Sequence, residues 1–425
     1  MGLLRNTIMV GATRVLLSLL IFFSDLVAAR YLGVELKGEY FFLTSGILLA
    51  GTFLTGGLHL GNLYYSRTIA FPVLAANTLL YLAATLVLVL AAGWPLTAYL
   101  PVLRQGGVDL KALFLCCLAL EAAFAVFLNF FVATDRLREY SFLRLFRRGL
   151  FFVLLVAAWY LWQASVTLTV GLYLLALVVT VALMGIMLFW GVSIWQVELR
   201  SLGICLGYGL RSQTLVFMDL ANLRMNGLLL GFWAPPADNG LYSVALNFSQ
   251  VLWLMSNVLT VIIQSRVQQT EARQLDDMLK LCRHTFLMAV LGGFALYLLA
   301  PLLILWCYGS DFQGAVPFLQ IMLPGIVFYS LFSLLSSFMI TNGRANSALA
   351  CSLGGFLVNL LLGFLLIPPL GGRGAAMAVS IGLTASVVFL LAVVKIRYNI
   401  QLRNILFLNN NDKQYWLLLM KKAWQ

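Results

Sequence analysis

Charged side chains are scarce in this sequence: Asp, Glu, Lys and Arg make up 10% of its 425 residues, against about 25% in a soluble globular protein. The chain therefore lacks the polar surface that a water-facing exterior needs, which excludes a soluble enzyme and a disordered regulator. Hydrophobic residues instead make up 62% of the chain. Because one membrane-spanning helix needs about 20 apolar residues, the composition predicts an all-α polytopic membrane protein.

Histidine and cysteine are also scarce. The two histidines, His59 and His284, are too few for a multi-histidine metal site. The six cysteines lie within or beside apolar segments and form no C-x-x-C pair, which is typical of small buried side chains rather than of a disulfide scaffold. No phosphate-binding loop motif occurs. The sequence therefore predicts no metal site and no built-in ATPase, and we assign no catalytic residues and no cofactor.

Twelve apolar runs each predict one transmembrane helix, and an even number of spans puts both termini on one side of the membrane. Most Lys and Arg residues, including Arg144, Arg147 and Arg148, are assigned to segments on that side, while Lys37 is assigned to the first outer loop. The positive-inside rule therefore places both termini in the cytoplasm. The predicted spans are 7–32, 40–65, 72–93, 109–134, 149–164, 167–190, 204–233, 241–264, 284–305, 314–341, 347–367 and 375–395.

The sequence repeats weakly at about half its length. Gly38-Glu39-Tyr40 opens the second span after a short outer loop at 33–37, and Gly240-Leu241-Tyr242 opens the eighth after one at 234–239. Two repeats of six helices predict a parallel-repeat transporter with its substrate site between the halves. The predicted domains are two six-helix bundles around a central cavity, at 1–195 and 196–396, and a cytoplasmic tail at 397–425 with a candidate interfacial helix at 415–420.

Charged residues inside the spans are the first candidates for function, because a charge in hydrocarbon is costly and normally faces a cavity. Arg14 in the first span and Arg211 in the seventh fall at nearly equivalent positions of the repeat. We expect both to flank the central cleft and bind substrate; internal salt bridges to Asp25 or Asp219 are the alternative. Arg224 is a further substrate-binding candidate. The candidates for ion coupling are Asp25, Asp219 and Glu121.

Two spans carry amides and hydroxyls on one helix face. Such a stripe suits sugar hydroxyls, which both donate and accept hydrogen bonds, whereas interhelical hydrogen bonding is the alternative. In the eighth span we favour cavity lining; for serine, threonine and His59 we favour structural roles. The stripes are Ser243, Asn247, Gln250, Asn257 and Gln264 in the eighth span, of which Asn247, Gln250 and Asn257 are substrate-binding candidates, and Ser45, Thr52, Thr55, His59 and Asn62 in the second.

Three segments resemble signatures of the lipid-linked oligosaccharide flippases of the multidrug/oligosaccharidyl-lipid/polysaccharide superfamily. The first runs from Ala29-Arg30-Tyr31-Leu32-Gly33 through Lys37-Gly38-Glu39-Tyr40, although Val34-Glu35-Leu36 stands where the family often has a proline-containing turn. The second segment is 228–243. The third consists of Gly343-Arg344, Asn359, Ile367-Pro368, Gly371 and Gly374-Ala375-Ala376.

The resemblance implies a flippase that moves a polyprenyl-pyrophosphate-linked oligosaccharide, such as an O-antigen precursor, from the cytoplasmic to the periplasmic leaflet of a bacterial inner membrane. Cationic residues of the first helices in such proteins commonly meet the lipid pyrophosphate, and Arg14 and Arg211 are the matching candidates. The expected partners are the bilayer, the lipid-linked glycan, a glycan polymerase and glycosyltransferases. Nucleic acid is not expected, because the basic residues are not interleaved with stacking aromatics.

Two other functions stay open from the sequence. A cation-coupled multidrug exporter of the same superfamily would carry an acid-dominated cavity, but here the intramembrane arginines and acids balance in number. A membrane glycan polymerase or ligase would need a site on the outer face, and the longest outer loop, 94–108, lacks Asp, Glu and His. Transport could be driven by H+ or Na+ at the acidic candidates, or by the membrane potential acting on the arginines.

Overall fold

The computed structural model describes residues 2–191, 196–264, 271–401 and 403–406, with backbone alone at 2–12, 14, 215, 253–264 and 272. Within these ranges the chain forms helices and turns and no strand, which confirms the predicted all-α class. The α-helices are α1 (Gly2–Leu54), α2 (Leu58–Tyr65), α3 (Phe71–Leu96), α4 (Pro101–Gln105), α5 (Val108–Ala133), α6 (Leu137–Leu161), α7 (Val166–Phe189), α8 (Leu199–Trp233), α9 (Pro236–Gln264), α10 (Glu271–Tyr308), α11 (Ala315–Thr341), α12 (Ala345–Leu370), α13 (Gly372–Tyr398) and α14 (Arg403–Leu406).

Eight of the described helices are long and apolar enough to cross a membrane, and α8, whose two parts bend by 52°, adds a ninth when they are counted together. The chain is therefore a multi-pass membrane protein. The twelve predicted runs fall on helix in the described ranges, but the second, 40–65, is divided between the end of α1 and α2 by a turn at 55–57. The count of twelve spans and their division into two six-helix bundles stay predictions, and the candidate interfacial helix at 415–420 lies outside the described residues.

The helix that contains the predicted fifth span begins before the apolar run does. The sequence predicts a span at 149–164, whereas α6 begins at Leu137. Arg144, Arg147 and Arg148 therefore lie within this helix, and their cytoplasmic location stays a prediction. The first half of α6 mixes basic and apolar residues, so no continuous apolar run marks it in the sequence.

The predicted first outer loop, 33–37, is a kink inside a helix. The backbone of α1 leaves helical geometry at Gly33, where φ is 71° and ψ is 178°. Glycine adopts this conformation readily, whereas a Cβ makes it strained for other residues. The first two predicted spans are thus joined by one glycine, and Lys37 lies in the helix that follows it.

By packing, the described chain forms two compact units. The first contains the residues up to Val244 together with Cys307–Phe312, and the second contains Ala245–Trp306 and the chain from Gln313 onward. The helix α8 belongs to the first unit because it packs against α1 and α2. The packing boundary therefore lies within α9, whereas the predicted boundary at 195/196 divides the sequence by its repeat and stays a prediction.

Within the first unit, the two repeat signatures meet in a reciprocal backbone contact. A Cβ on Gly38 would overlap the carbonyl oxygen of Pro236, and a Cβ on Gly240 would overlap that of Val34. The amide of Asn239 donates to the Gly38 carbonyl oxygen at 3.2 Å and strengthens this contact. Gly240 follows Gly38 by the same number of residues as Pro236 follows Val34. Repeat-equivalent positions therefore pack on each other, as in a two-fold interface. This symmetry supports the internal repeat predicted from the sequence.

A second close approach joins α8 to the glycine turn before α2. A Cβ on Gly57 would overlap the backbone of Gly209, and a Cβ on Gly209 would overlap that of Gly57. Gln213, one turn further along α8, accepts a hydrogen bond from the Thr55 hydroxyl at 3.1 Å. Small residues at helix contacts let backbones approach in this way within membranes, where lipid is as apolar as leucine.

The second unit is held together chiefly by α11, α12 and α13. Small residues again mediate the contacts, since a Cβ on Gly355 would overlap Ser386, and one on Gly382 would overlap Asn359. At one end of this unit, Glu271 pairs with Arg344 at 2.6 Å and accepts a hydrogen bond from Tyr398 at the same distance. This cluster ties the start of α10 to the start of α12 and the end of α13.

We expect Gly209→Ala to destabilise the protein by about 1–3 kcal/mol, the usual cost of overpacking, because the added methyl meets the Gly57 backbone. Gly207→Ala is the matched control, since a Cβ two residues earlier on the same helix meets no atom within 4 Å. Alanine there should be neutral or slightly stabilising. Thermal unfolding of the detergent-solubilised variants measures both, and equal midpoints would contradict the close contact.

Candidate functional site

A cavity opens inside the first unit, between the two parts of α1 and the helices α6, α7 and α8. Four charged residues line it, and aromatic rings form much of its remaining wall. Its volume is about 70 Å³, room for about five water molecules. We call it the cationic cavity; its charged lining residues are Asp25, Lys37, Arg148 and Arg224, and its aromatic ones are Tyr40, Phe41, Phe151 and Tyr173.

Asp25 and Lys37 form an ion pair across the Gly33 kink. Lys37 is fully buried, with 1% of its side chain exposed, whereas Asp25 keeps 22% exposed towards the cavity. The hydroxyl of Tyr308 donates to the second carboxylate oxygen of Asp25 at 3.2 Å. The Lys37 ammonium also lies 5.5 Å from the Tyr40 ring, within range of a cation–π contact. The charge of Lys37 is therefore compensated inside the protein.

The two arginines of the cavity are not paired in this way. Arg224 stacks on the Phe41 ring at 5.2 Å, and within the described ranges neither Arg224 nor Arg148 forms an ion pair or hydrogen bond. Both are only partly exposed. Since arginine stays charged in proteins, the cavity presents two guanidinium groups whose donors are available to a ligand.

Behind the cavity wall lies a second ion pair. Arg147 donates to both carboxylate oxygens of Glu121, at 2.9 and 2.7 Å, and both residues are buried. The Tyr173 hydroxyl donates to the same carboxylate at 2.9 Å. Arg147 also packs over the Phe124 ring at 4.0 Å. With Tyr173, this pair links α5, α6 and α7, and Glu121 accepts three hydrogen bonds from two donor groups.

The charge balance of the cavity is positive, with three cations and one acid among its lining residues. A low-dielectric, partly enclosed site with two uncompensated guanidinium groups favours an anion, and phosphate oxygens match the guanidinium fork in geometry. The described residues bring together no group of three His, Cys, Asp or Glu side chains that could hold a metal ion. The arrangement can therefore bind an anionic group.

Two of the nine residues singled out from the sequence, Asp25 and Arg224, line the cationic cavity. Glu121 lies behind it in the ion pair with Arg147. Arg211 is exposed and Asp219 half-buried on α8, and neither lines the cavity. Asn247 and Gln250 are half-buried in the second unit. The side chains of Arg14 and Asn257 lie outside the described residues, so their predicted roles stay predictions.

Sequence reasoning missed Lys37 and Arg148 as site residues. Both were assigned to segments outside the spans, since neither lies in an apolar run. A signal for Arg148 does exist: Arg144, Arg147 and Arg148 have the i, i+3, i+4 spacing of one helix face. Counting α6 as a helix from Leu137 would have put two adjacent arginines at its middle, where a charge indicates a cavity or an ion pair.

The polar stripe of the second span consists in part of interhelical hydrogen bonds. Asn62 donates to the Thr78 hydroxyl at 2.8 Å, and Thr55 donates to Gln213 at 3.1 Å. These contacts support the structural interpretation that we favour for threonine. In the eighth span, the Ser243 hydroxyl donates to the Gly240 carbonyl oxygen of its own helix at 2.7 Å, which leaves Asn247 and Gln250 as its described polar candidates.

We expect Asp25→Asn to destabilise the protein by about 3–5 kcal/mol, because it leaves Lys37 buried without a counter-charge. Adding Lys37→Met should recover much of that loss. Asp276→Asn is the control, since its pair with Lys280 is exposed on both sides and should be worth under about 1 kcal/mol. Thermal unfolding in detergent measures all three, and a double variant no more stable than Asp25→Asn would contradict the pairing.

No family model matches the chain, and no curated protein sequence matches it either. Several solved structures do. Lipid II flippase MurJ in an inward closed conformation matches with a TM-score of 0.76 and 15% identity over 95% of this chain and 89% of that one. An inward-facing multidrug resistance MATE family transporter of the MOP superfamily matches with a TM-score of 0.74 and 14% identity over 92% and 98%.

A further match is a MOP superfamily transporter from Pyrococcus furiosus, described as having a binding pocket of reverse polarity, with a TM-score of 0.56 and 14% identity over 92% of this chain and 96% of that one. At such identities the likeness concerns the fold. Two of the three matches are named as transporters of the superfamily that the sequence signatures resemble, and the first is named as a flippase. The chain therefore has the fold of the MOP superfamily transporters.

Proposed function

We propose that this protein is a flippase for a polyprenyl-pyrophosphate-linked oligosaccharide, which it moves from the cytoplasmic to the outer leaflet by alternating access. The observation that carries the proposal is the cationic cavity, with two arginines that have no acidic partner in the described chain. A pyrophosphate carries adjacent negative charges and several acceptor oxygens, so it suits two guanidinium groups. A neutral or cationic cargo would leave both groups uncompensated in a low-dielectric site.

The size of the cavity indicates which part of the cargo it would hold. A volume of about 70 Å³ accommodates a phosphate group, whereas an oligosaccharide needs several times that space. We infer that Arg148 and Arg224 hold the pyrophosphate link, while the glycan lies in a wider space and the polyprenyl tail stays in the bilayer. This cargo places the protein in a bacterial inner membrane, between glycosyltransferases that build the glycan and a polymerase that extends it.

The alternative is a cation-coupled multidrug exporter, and the likeness to MATE transporters favours it as much as it favours a flippase. An exporter of organic cations would need acidic groups free to face its cargo. In the cationic cavity, the single acid, Asp25, is already paired with Lys37. The charge of this cavity therefore favours the flippase.

We expect Arg148→Ala and Arg224→Ala each to weaken binding of a polyprenyl pyrophosphate by about 10- to 100-fold, the loss expected for a charged hydrogen bond. Arg148→Lys should lose less, because the charge remains. Arg67→Ala, at an exposed site outside the cavity, should bind as the parent protein does. Binding to purified protein in nanodiscs, followed by intrinsic fluorescence, measures the series.

Three outcomes would overturn this assignment. Tight binding of tetraphenylphosphonium together with no binding of polyprenyl pyrophosphate would favour the exporter. Unchanged affinity in both arginine variants would remove the cavity from the function. Loss of binding in Arg211→Ala alone would favour the paired arginines predicted from the sequence, Arg14 and Arg211, over the cavity.

For energy coupling we propose H+ or Na+ acting at Asp25 or Asp219, the acids of α1 and α8. Flipping of a fluorescent polyprenyl-pyrophosphate sugar in proteoliposomes should then accelerate when a proton or Na+ gradient is imposed, and Asp25→Asn or Asp219→Asn should abolish the acceleration. Equal rates with and without both gradients would exclude cation coupling.

A further inference from the structure

We propose that Glu121 and Arg147 are a positioning pair, which directs the neighbouring Arg148 into the cationic cavity and keeps its charge available to an anion. This inference rests on the proposed function, because it assigns the cavity to an anionic group. It gives Glu121 a role other than the ion coupling predicted from the sequence.

The pair is anchored from three helices. Glu121 lies at the middle of α5 and receives two hydrogen bonds from Arg147 of α6, at 2.9 and 2.7 Å, and a third from Tyr173 of α7 at 2.9 Å. Arg147 is held on its other side by the Phe124 ring, 4.0 Å away. The Nη1 of Arg147 contacts both carboxylate oxygens, and together with the Phe124 ring this holds the guanidinium in one direction. The rotation of α6 about its own axis is therefore set at this residue.

Fixing Arg147 also fixes Arg148. Successive side chains on an α-helix point about 100° apart, so when Arg147 faces Glu121, the next residue faces the adjacent sector. In this structure that sector is the cationic cavity, and Arg148 lines it. A small rotation of α6 would exchange the two arginines, placing Arg148 against the buried carboxylate and removing it from the cavity.

The pair also protects the charge of Arg148. Glu121 is a buried acid one helix away from the cavity, and an unsatisfied carboxylate there would attract Arg148 directly. The bonds from Arg147 and Tyr173 occupy it instead. Tyr173 lines the cavity and also bonds to Glu121, so the ion pair and the cavity share a wall. Arg148 therefore faces the cavity without an acid of its own.

A double-mutant cycle with inorganic pyrophosphate as the probe tests this role, using the full-length protein in nanodiscs. We expect Glu121→Gln to weaken pyrophosphate binding at least fivefold in the parent protein and to have no further effect when Arg148→Ala is already present. Two residues that act through one contact are non-additive in such a cycle. Arg147→Lys keeps the charge but loses the planar guanidinium that packs over the Phe124 ring, and should give a smaller loss that likewise disappears in the Arg148→Ala background.

The cycle separates positioning from a merely structural role. An equal loss of affinity from Glu121→Gln in both backgrounds, or an unchanged affinity with a lower unfolding temperature, would overturn the positioning role while leaving the cavity assignment intact. A parent protein that does not bind pyrophosphate would overturn the proposed function itself. If Glu121→Gln does not fold, Arg147→Lys gives the same comparison.

Discussion

A charge inside a membrane protein needs a counter-charge, hydrogen bonds or water, and this requirement orders the interior of the first unit. Lys37 is compensated across a kink of its own helix by Asp25. Arg147 is compensated between helices by Glu121. Once these two pairs are formed, the described acids around the cavity are used, and Arg148 and Arg224 retain their full charge. Their remaining electrostatic cost is removed if an anion enters, which couples occupancy of the cavity to its stability.

The glycines decide where those charges meet. The reciprocal contact of Gly38 with Pro236 and of Gly240 with Val34 brings the second part of α1 and the start of α9 to backbone contact. The contact between Gly57 and Gly209 does the same for α8. A side chain at any of these positions would overlap the facing backbone and push the helices apart. The spacing of the helices that carry the charged residues therefore depends on residues that do not line the cavity.

The sequence predicts the helical class and the membrane location, because apolar runs are local signals. Two of its candidate residues, Asp25 and Arg224, line the cationic cavity. Arg148 escapes detection because the apolar run of α6 begins one residue later, so the span boundary falls on the site itself. Lys37 escapes because a single glycine kink looks the same as a loop in sequence. The pairing of Glu121 with Arg147 joins residues from different helices, and no spacing rule within one helix encodes it.

On the proposed function, the cavity would recognise the part of the cargo that every lipid-linked glycan shares. A site for the pyrophosphate gives affinity that does not depend on the sugar sequence, since the arginines contact phosphate oxygens alone. Selectivity among glycans would then depend on other polar surfaces, of which Asn247 and Gln250 in the second unit are the described candidates. This division of roles explains why charge is the most distinct feature of the cationic cavity. Charge identifies the linker, while recognition of the sugars requires hydrogen bonds arranged over a wider space.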